Sequence, residues 1–95
     1  MKTIELNGEK LENRNDSHEY LKELFDFPDY YGNNLDAFND CLSEISEDTE
    51  IWISRYSLRL MCQPEAYGFR VFRTLYRAVL NNPHLKLKFY DEAGV

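Results

Sequence analysis

Residues 69–90 read Phe-Arg-Val-Phe-Arg-Thr-Leu-Tyr-Arg-Ala-Val-Leu-Asn-Asn-Pro-His-Leu-Lys-Leu-Lys-Phe-Tyr. The apolar period changes inside this stretch. Phe69, Phe72, Leu75, Tyr76, Val79 and Leu80 recur at helical spacing, so a helix is expected to run through about residue 81. Asn81-Asn82-Pro83 ends it, because the residue before a proline is pushed out of the α region. From His84 to Tyr90 the pattern alternates, Leu85, Leu87 and Phe89 against Lys86, Lys88 and Tyr90, which is the period of a strand. A helix feeding a strand through a three-residue turn is half of a parallel crossover.

The other half lies upstream. Thr49–Ser54 (Thr-Glu-Ile-Trp-Ile-Ser) is β-branched and aromatic and reads as a second strand. Residues 55–62 are ambiguous between loop and a short helical turn, and Pro64 suits the first turn of the long helix. Leu35, Phe38, Leu42 and Ile45 mark an amphipathic helix of roughly 34–46, with Cys41 on its apolar side as a buried small residue. Asn33 or Asn34 can cap it. A helix with Leu21, Leu24 and Phe25 as its stripe precedes it, with Asp16 as N-cap and Glu19 completing a capping box. Residues 2–6 form a first strand closed by Asn7-Gly8. The order strand, helix, helix, strand, helix, strand favours an α/β fold in two layers, a three-stranded parallel sheet packed against three to four helices.

At 95 residues the chain has room for one core, so residues 1–95 are read as a single domain, with residues 91–95 as a frayed tail. No apolar run approaches the roughly 20 residues of a membrane span, no secretory leader opens the chain, and two cysteines make no disulfide framework. A cytoplasmic location is expected, with both thiols reduced. The net charge of −6 is unevenly spread: residues 16–50 carry −10 and residues 55–88 carry +6. The simplest reading is mutual neutralisation across the fold; the functional one is an acidic surface that attracts a basic protein and repels nucleic acid.

Little in the chain suggests catalysis. Gly8, Gly32, Gly68 and Gly94 are isolated, so no phosphate loop exists. His18 and His84 lack motif-spaced partners and are expected at surface or boundary positions, and no cofactor or metal site is expected. At 100° per residue, Asp36, Asn39, Asp40, Ser43 and Glu44 project opposite the apolar stripe of the 34–46 helix. Asp36/Asp40 and Asp40/Glu44 are like-charged i, i+4 pairs, which cost a helix a few tenths of a kcal/mol. This is either a solvated face or an anionic recognition face, flanked by Tyr30 and Tyr31. Arg70, Arg73 and Arg77 with Tyr67 and Tyr76 form a rival basic face, of a kind that can bind RNA.

Tyr30-Tyr31-Gly32-Asn33-Asn34-Leu35-Asp36-Ala37-Phe38-Asn39-Asp40-Cys41-Leu42 resembles the signature of the barstar family, small intracellular ribonuclease inhibitors. Asn7-Gly8-Glu9, Asp16, His18, Pro28 and Val71-Phe72-Arg73 extend the resemblance over most of the chain, densest over residues 28–42. It implies a barstar-like α/β fold in which the helix and its preceding loop plug the active site of a basic, secreted ribonuclease such as barnase. By position Asp40 takes the place of the RNA phosphate, Tyr30, Asn34, Leu35 and Asp36 form or support the contact, and Gly32 lies on the turn that lets the loop approach. Asn39 stands where the family has a tryptophan and Thr74 where it has a contact glutamate, which points to a cognate nuclease other than barnase. The expected function is therefore stoichiometric inhibition of a basic ribonuclease or ribonuclease toxin. The expected inhibitor is monomeric when free and has no nucleic-acid or membrane partner. The alternative is a barstar-like interaction or regulatory domain without nuclease binding.

Overall fold

In a computed structural model of the chain, which describes residues 1–91, three parallel strands lie in the order β1-β2-β3: β1 Lys2–Glu5, β2 Thr49–Ser54 and β3 Leu85–Tyr90. Between β1 and β2 run α1 (Arg14–Phe25) and α2 (Leu35–Ser43); between β2 and β3 run α3 (Arg55–Met61) and α4 (Tyr67–Asn81). The three-stranded parallel α/β fold read from the sequence is the fold observed. β2 is central, pairing Ile51 with Ile4 on one side and Leu87 on the other. The frayed tail expected at 91–95 lies, beyond Asp91, outside the described residues.

One face of the sheet is covered. Ile4, Ile51, Ile53 and Leu85 join Leu21, Phe25, Phe38, Leu42, Met61, Val71 and Leu75 in one buried core. Alternation places Thr3, Glu50, Trp52, Lys86 and Lys88 on the opposite, uncovered face. No helix among the described residues is long and apolar enough to cross a membrane.

Several boundaries differ from expectation, each for a local reason. α1 is capped by Asn13, whose side chain accepts from the Asp16 N–H at 2.9 Å, not by Asp16. Asp16 answers as the third residue of the cap, taking a bond from Asn13 Nδ2 at 2.9 Å. Pro64 does not open α4; it sits in a turn closed by the Ala66 N–H on the Gln63 carbonyl, and α4 begins at Tyr67. Residues 55–61, ambiguous in sequence, form a helix because Ser54 ends β2 and caps α3 through the Ser57 N–H. Gly8 is held there too: its N–H donates to Ser57 Oγ, and an added Cβ would lie 2.6 Å from the Ser57 carbonyl oxygen.

α2 is shorter than its apolar pattern, ending at Ser43, and Asn82 holds its end. The buried Asn82 amide donates to the Leu42 and Ile45 carbonyls at 2.9 and 3.0 Å, while its oxygen accepts from the His84 N–H. The α4–β3 turn is thus fastened to the C-terminus of α2. Asn82→Ala is expected to cost about 2–4 kcal/mol, because each buried polar group left unpaired costs roughly 1–3 kcal/mol. Urea denaturation checks it, with Asn81→Ala, an exposed neighbour, as the near-neutral control.

Candidate protein-binding site

The loop between α1 and α2 is built on aromatic packing. Asp26 takes a left-handed conformation (φ 57°) that ends α1 and turns the chain, and the Phe27 N–H closes back on the Lys22 carbonyl. Phe27 then stacks on Phe25 at a ring separation of 5.2 Å and meets Tyr31 at 5.0 Å and Phe38 at 6.1 Å. These rings fix both ends of the loop to the core. The second left-handed residue is Asn33 (φ 54°), directly after Gly32. Asn34 caps α2: its Oδ1 accepts from the Ala37 N–H at 2.8 Å and its Nδ2 donates to the Gly32 carbonyl.

Two adjacent tyrosines part ways here. Tyr30 is 81% exposed, whereas Tyr31 is buried. Tyr31 is therefore not a surface contact, as the sequence suggested, but a post beneath the surface. Its hydroxyl is 2.6 Å from His18 Nδ1, and the Tyr67 hydroxyl is 2.6 Å from His18 Nε2. His18, expected at a surface or boundary, is fully buried and ties α1, the loop and α4 together. Burial lowers its pKa and the nearby Arg14 charge lowers it further. A neutral imidazole donates from one nitrogen and accepts at the other, which suits two hydroxyl partners. Burial pushes the Tyr31 hydroxyl well above its usual range, with Cys41 and Tyr67 adding to the rise. The signal for His18 was present in the sequence: it stands i, i+3, i+7 with Leu21 and Phe25, the buried side of α1.

Asp36, Asn39, Asp40 and Ser43 lie exposed on α2, and Glu44 is exposed at its C-cap, opposite the buried Phe38 and Leu42. None of the three carboxylates joins an ion pair formed among the described residues. Leu35 and Asn34 are half-buried and line a cleft of about 200 Å³ with Arg14, Asp36, Tyr67 and Arg70. Thr74 stands one turn beyond Arg70 on α4, half-buried, its hydroxyl turned back to the Arg70 carbonyl. The start of α2 and the first turn of α4 thus meet across this cleft; Tyr30 is exposed on the loop before α2, and Tyr31 is buried. Cys41 is half-buried rather than buried, on the flank of α2, and burial with the Glu44 and Asp40 charges raises its thiol pKa. Among the described residues no His, Cys, Asp and Glu group is placed to hold a metal ion.

The family model described as "Barstar (barnase inhibitor)" matches residues 1–79. The chain belongs to the barstar family. That match includes the whole loop, α2 and most of α4. A 43-residue stretch is also 51% identical to a Bacillus subtilis (strain 168) protein named "Putative ribonuclease inhibitor YrdF". The stretch is 45% of this chain and 47% of that protein, so the chain spans about half the length of this relative.

The depressed His18 pKa gives a pH dependence of definite sign. The unfolded ring, at its ordinary 6.5, takes a proton that the folded ring resists. Stability from this group is full above pH 6.5 and declines as pH falls from there to the folded value. In a urea series at stepped pH, this decline is expected in the parent and absent in His18→Gln. That variant should also lose about 1–3 kcal/mol at pH 7.5 through an unpaired tyrosine hydroxyl.

Proposed function

We propose that this chain is a stoichiometric inhibitor of a basic ribonuclease, with no chemistry of its own, and that α2 with its preceding loop occludes the nuclease active site. The observation that carries this is the face of α2: three exposed carboxylates without an ion pair among the described residues, beside an exposed Tyr30, in a barstar-family chain. A ribonuclease site is cationic because it stabilises phosphoryl-transfer charge. Asp40, at the middle of the face, stands in for the RNA phosphate; Asp36, Asn39, Ser43 and Glu44 extend the contact, and Asn34 and Leu35 shape its upper end. Tyr30 supplies a rigid aromatic surface, and Gly32, exposed between it and the cap, leaves room for the partner. Thr74 sits at the α4 rim. With Asn39 and Thr74 at positions where the family carries larger or charged contacts, the cognate nuclease is an enzyme other than barnase. It is a secreted ribonuclease or a ribonuclease toxin against which the cytoplasm is protected. Residues 1–95 act as one domain and one monomer in this role.

Asp40→Ala is expected to weaken binding to the cognate nuclease by roughly 3–6 kcal/mol, since it leaves cationic groups buried and unpaired. Coupling of about 1.5–7 kcal/mol is known for close charge pairs of barnase and barstar themselves, and the expectation is placed inside that range. Folding stability should hold or rise by a few tenths of a kcal/mol, because the i, i+4 repulsion with Asp36 and Glu44 is relieved. Calorimetric titration against the nuclease and a thermal melt read the two signs. Weaker binding together with lower stability would make Asp40 structural, and unchanged binding would move the contact elsewhere.

The acidic segment should also steer encounter. Association is expected to be fast at low salt and to slow markedly as ionic strength rises, as barnase and barstar do. Stopped-flow rates that ignore salt would leave the segment as a solvated face.

A further inference from the structure

The sequence between Ala66 and Tyr90 holds Arg70, Arg73, Arg77, Lys86 and Lys88 and no acidic residue. All five cations are exposed, and none enters an ion pair formed among the described residues. These five cations do not neutralise the acidic segment through direct pairs, although His84 of the same stretch meets Asp48 at 2.9 Å. The same region exposes large apolar groups: Phe89 is 51% and Tyr76 50% exposed. They form one surface, for Phe72 meets Phe89 at a ring separation of 6.4 Å and stacks on Tyr76 at 6.2 Å.

This surface borders an open sheet edge. β3 pairs with β2 on one side, and no strand among the described residues pairs with the other. The register sorts its side chains. Lys86 and Lys88 align with Glu50 and Trp52 on the uncovered face; Leu87 and Phe89 align with Ile51 and Ile53 on the helix side. Lysines on an edge strand guard it against indiscriminate pairing. That explains the charges but not the half-exposed rings beside them.

We propose that the outer edge of β3 receives an extended segment of a protein partner whose residues alternate between acidic and apolar. Such a segment adds as a fourth strand through main-chain hydrogen bonds. Its acidic residues face Lys86 and Lys88, and its apolar residues lie against Phe89, Phe72 and Tyr76. A second copy of this chain does not fit: two-fold antiparallel pairing centred on Leu87 would set each lysine against a lysine, and like charges directly opposite are destabilising. The surface is separate from the acidic helix. On α4, Phe72 and Tyr76 point at least 120° away from Arg70, which lines the cleft beside α2, at 100° per residue. A nuclease and a strand partner can therefore be held at once, so this reading stands whether or not the nuclease is bound.

The test uses the full chain, isotopically labelled, and the acetylated, amidated peptide Glu-Val-Glu-Val-Glu-Val. Saturable NMR shifts are expected on β3, Phe72 and Tyr76, with slowed hydrogen exchange at the β3 amides that point away from β2. A peptide of the same composition in block order, three Glu then three Val, should bind at least tenfold more weakly. Lys86→Glu with Lys88→Glu should bind the alternating acidic peptide at least tenfold more weakly and should now bind Lys-Val-Lys-Val-Lys-Val. Phe89→Ser, which leaves the charges in place, should weaken the acidic peptide as well. The proposal is overturned by equal binding of the two orders, by no saturable shift at millimolar peptide, or by shifts without slowed β3 amides. It is equally overturned by concentration-dependent dimerisation through β3, or by uridine oligomers binding this surface as tightly as the peptide.

Discussion

A single buried imidazole sets the geometry of the proposed inhibitory surface. His18 is bracketed by two hydroxyls at 2.6 Å, one from the loop before α2 and one from the first residue of α4. These two bonds are directional, whereas the apolar packing around them is not. Hydrogen bonds at both nitrogens fix the height of Tyr31, and Tyr31 in turn fixes which neighbour reaches solvent. Tyr30 is outside because Tyr31 is inside.

The acidic helix depends on the rest of the fold in a second way. α2 has nine residues, too few to be stable alone in water. It has no basic residue in its last turn and Glu44 as its C-cap, so its C-terminal charge runs against the helix dipole. Tertiary structure offsets this: Phe38 and Leu42 are fully buried, Asn34 caps the start, and Asn82, forty residues downstream, binds the end. A helix that carries Asp36, Asp40 and Glu44 on one face is affordable only when its other face and both termini are held by something else.

How much of this was legible in the sequence follows from what each residue depends on. β2 was readable to the residue, since Thr49–Ser54 is β-branched and its burial is a matter of alternation. The exposed face of α2 followed from helical periodicity alone. The N-cap of α1 was misplaced because Asn13, Asn15 and Asp16 are all competent caps, and the choice rests on where the chain leaves the short turn at Gly8–Lys10. Tyr30 and Tyr31 are chemically identical, so only the path of the loop decides which is buried. His18 sits on the Leu21/Phe25 stripe, but its polarity points to the surface, and its hydroxyl partners are 13 and 49 residues away and invisible to local patterning. Asn82 looked like punctuation for the same reason.

The central position of β2 has a consequence for biosynthesis. Thr49–Trp52 pair with β1 and all of β2 pairs with β3, so each ladder joins residues dozens of positions apart in the chain. Folds dominated by such distant pairings close late. A nascent chain that has left the ribosome only as far as α2 carries every proposed contact residue of that helix, yet lacks β2, Tyr67 and Asn82. The acidic segment is then a charged, unstructured stretch rather than a preformed surface. Ordering of the proposed contact helix waits for the second half of the chain, and a truncated translation product would carry the proposed contact residues without their arrangement.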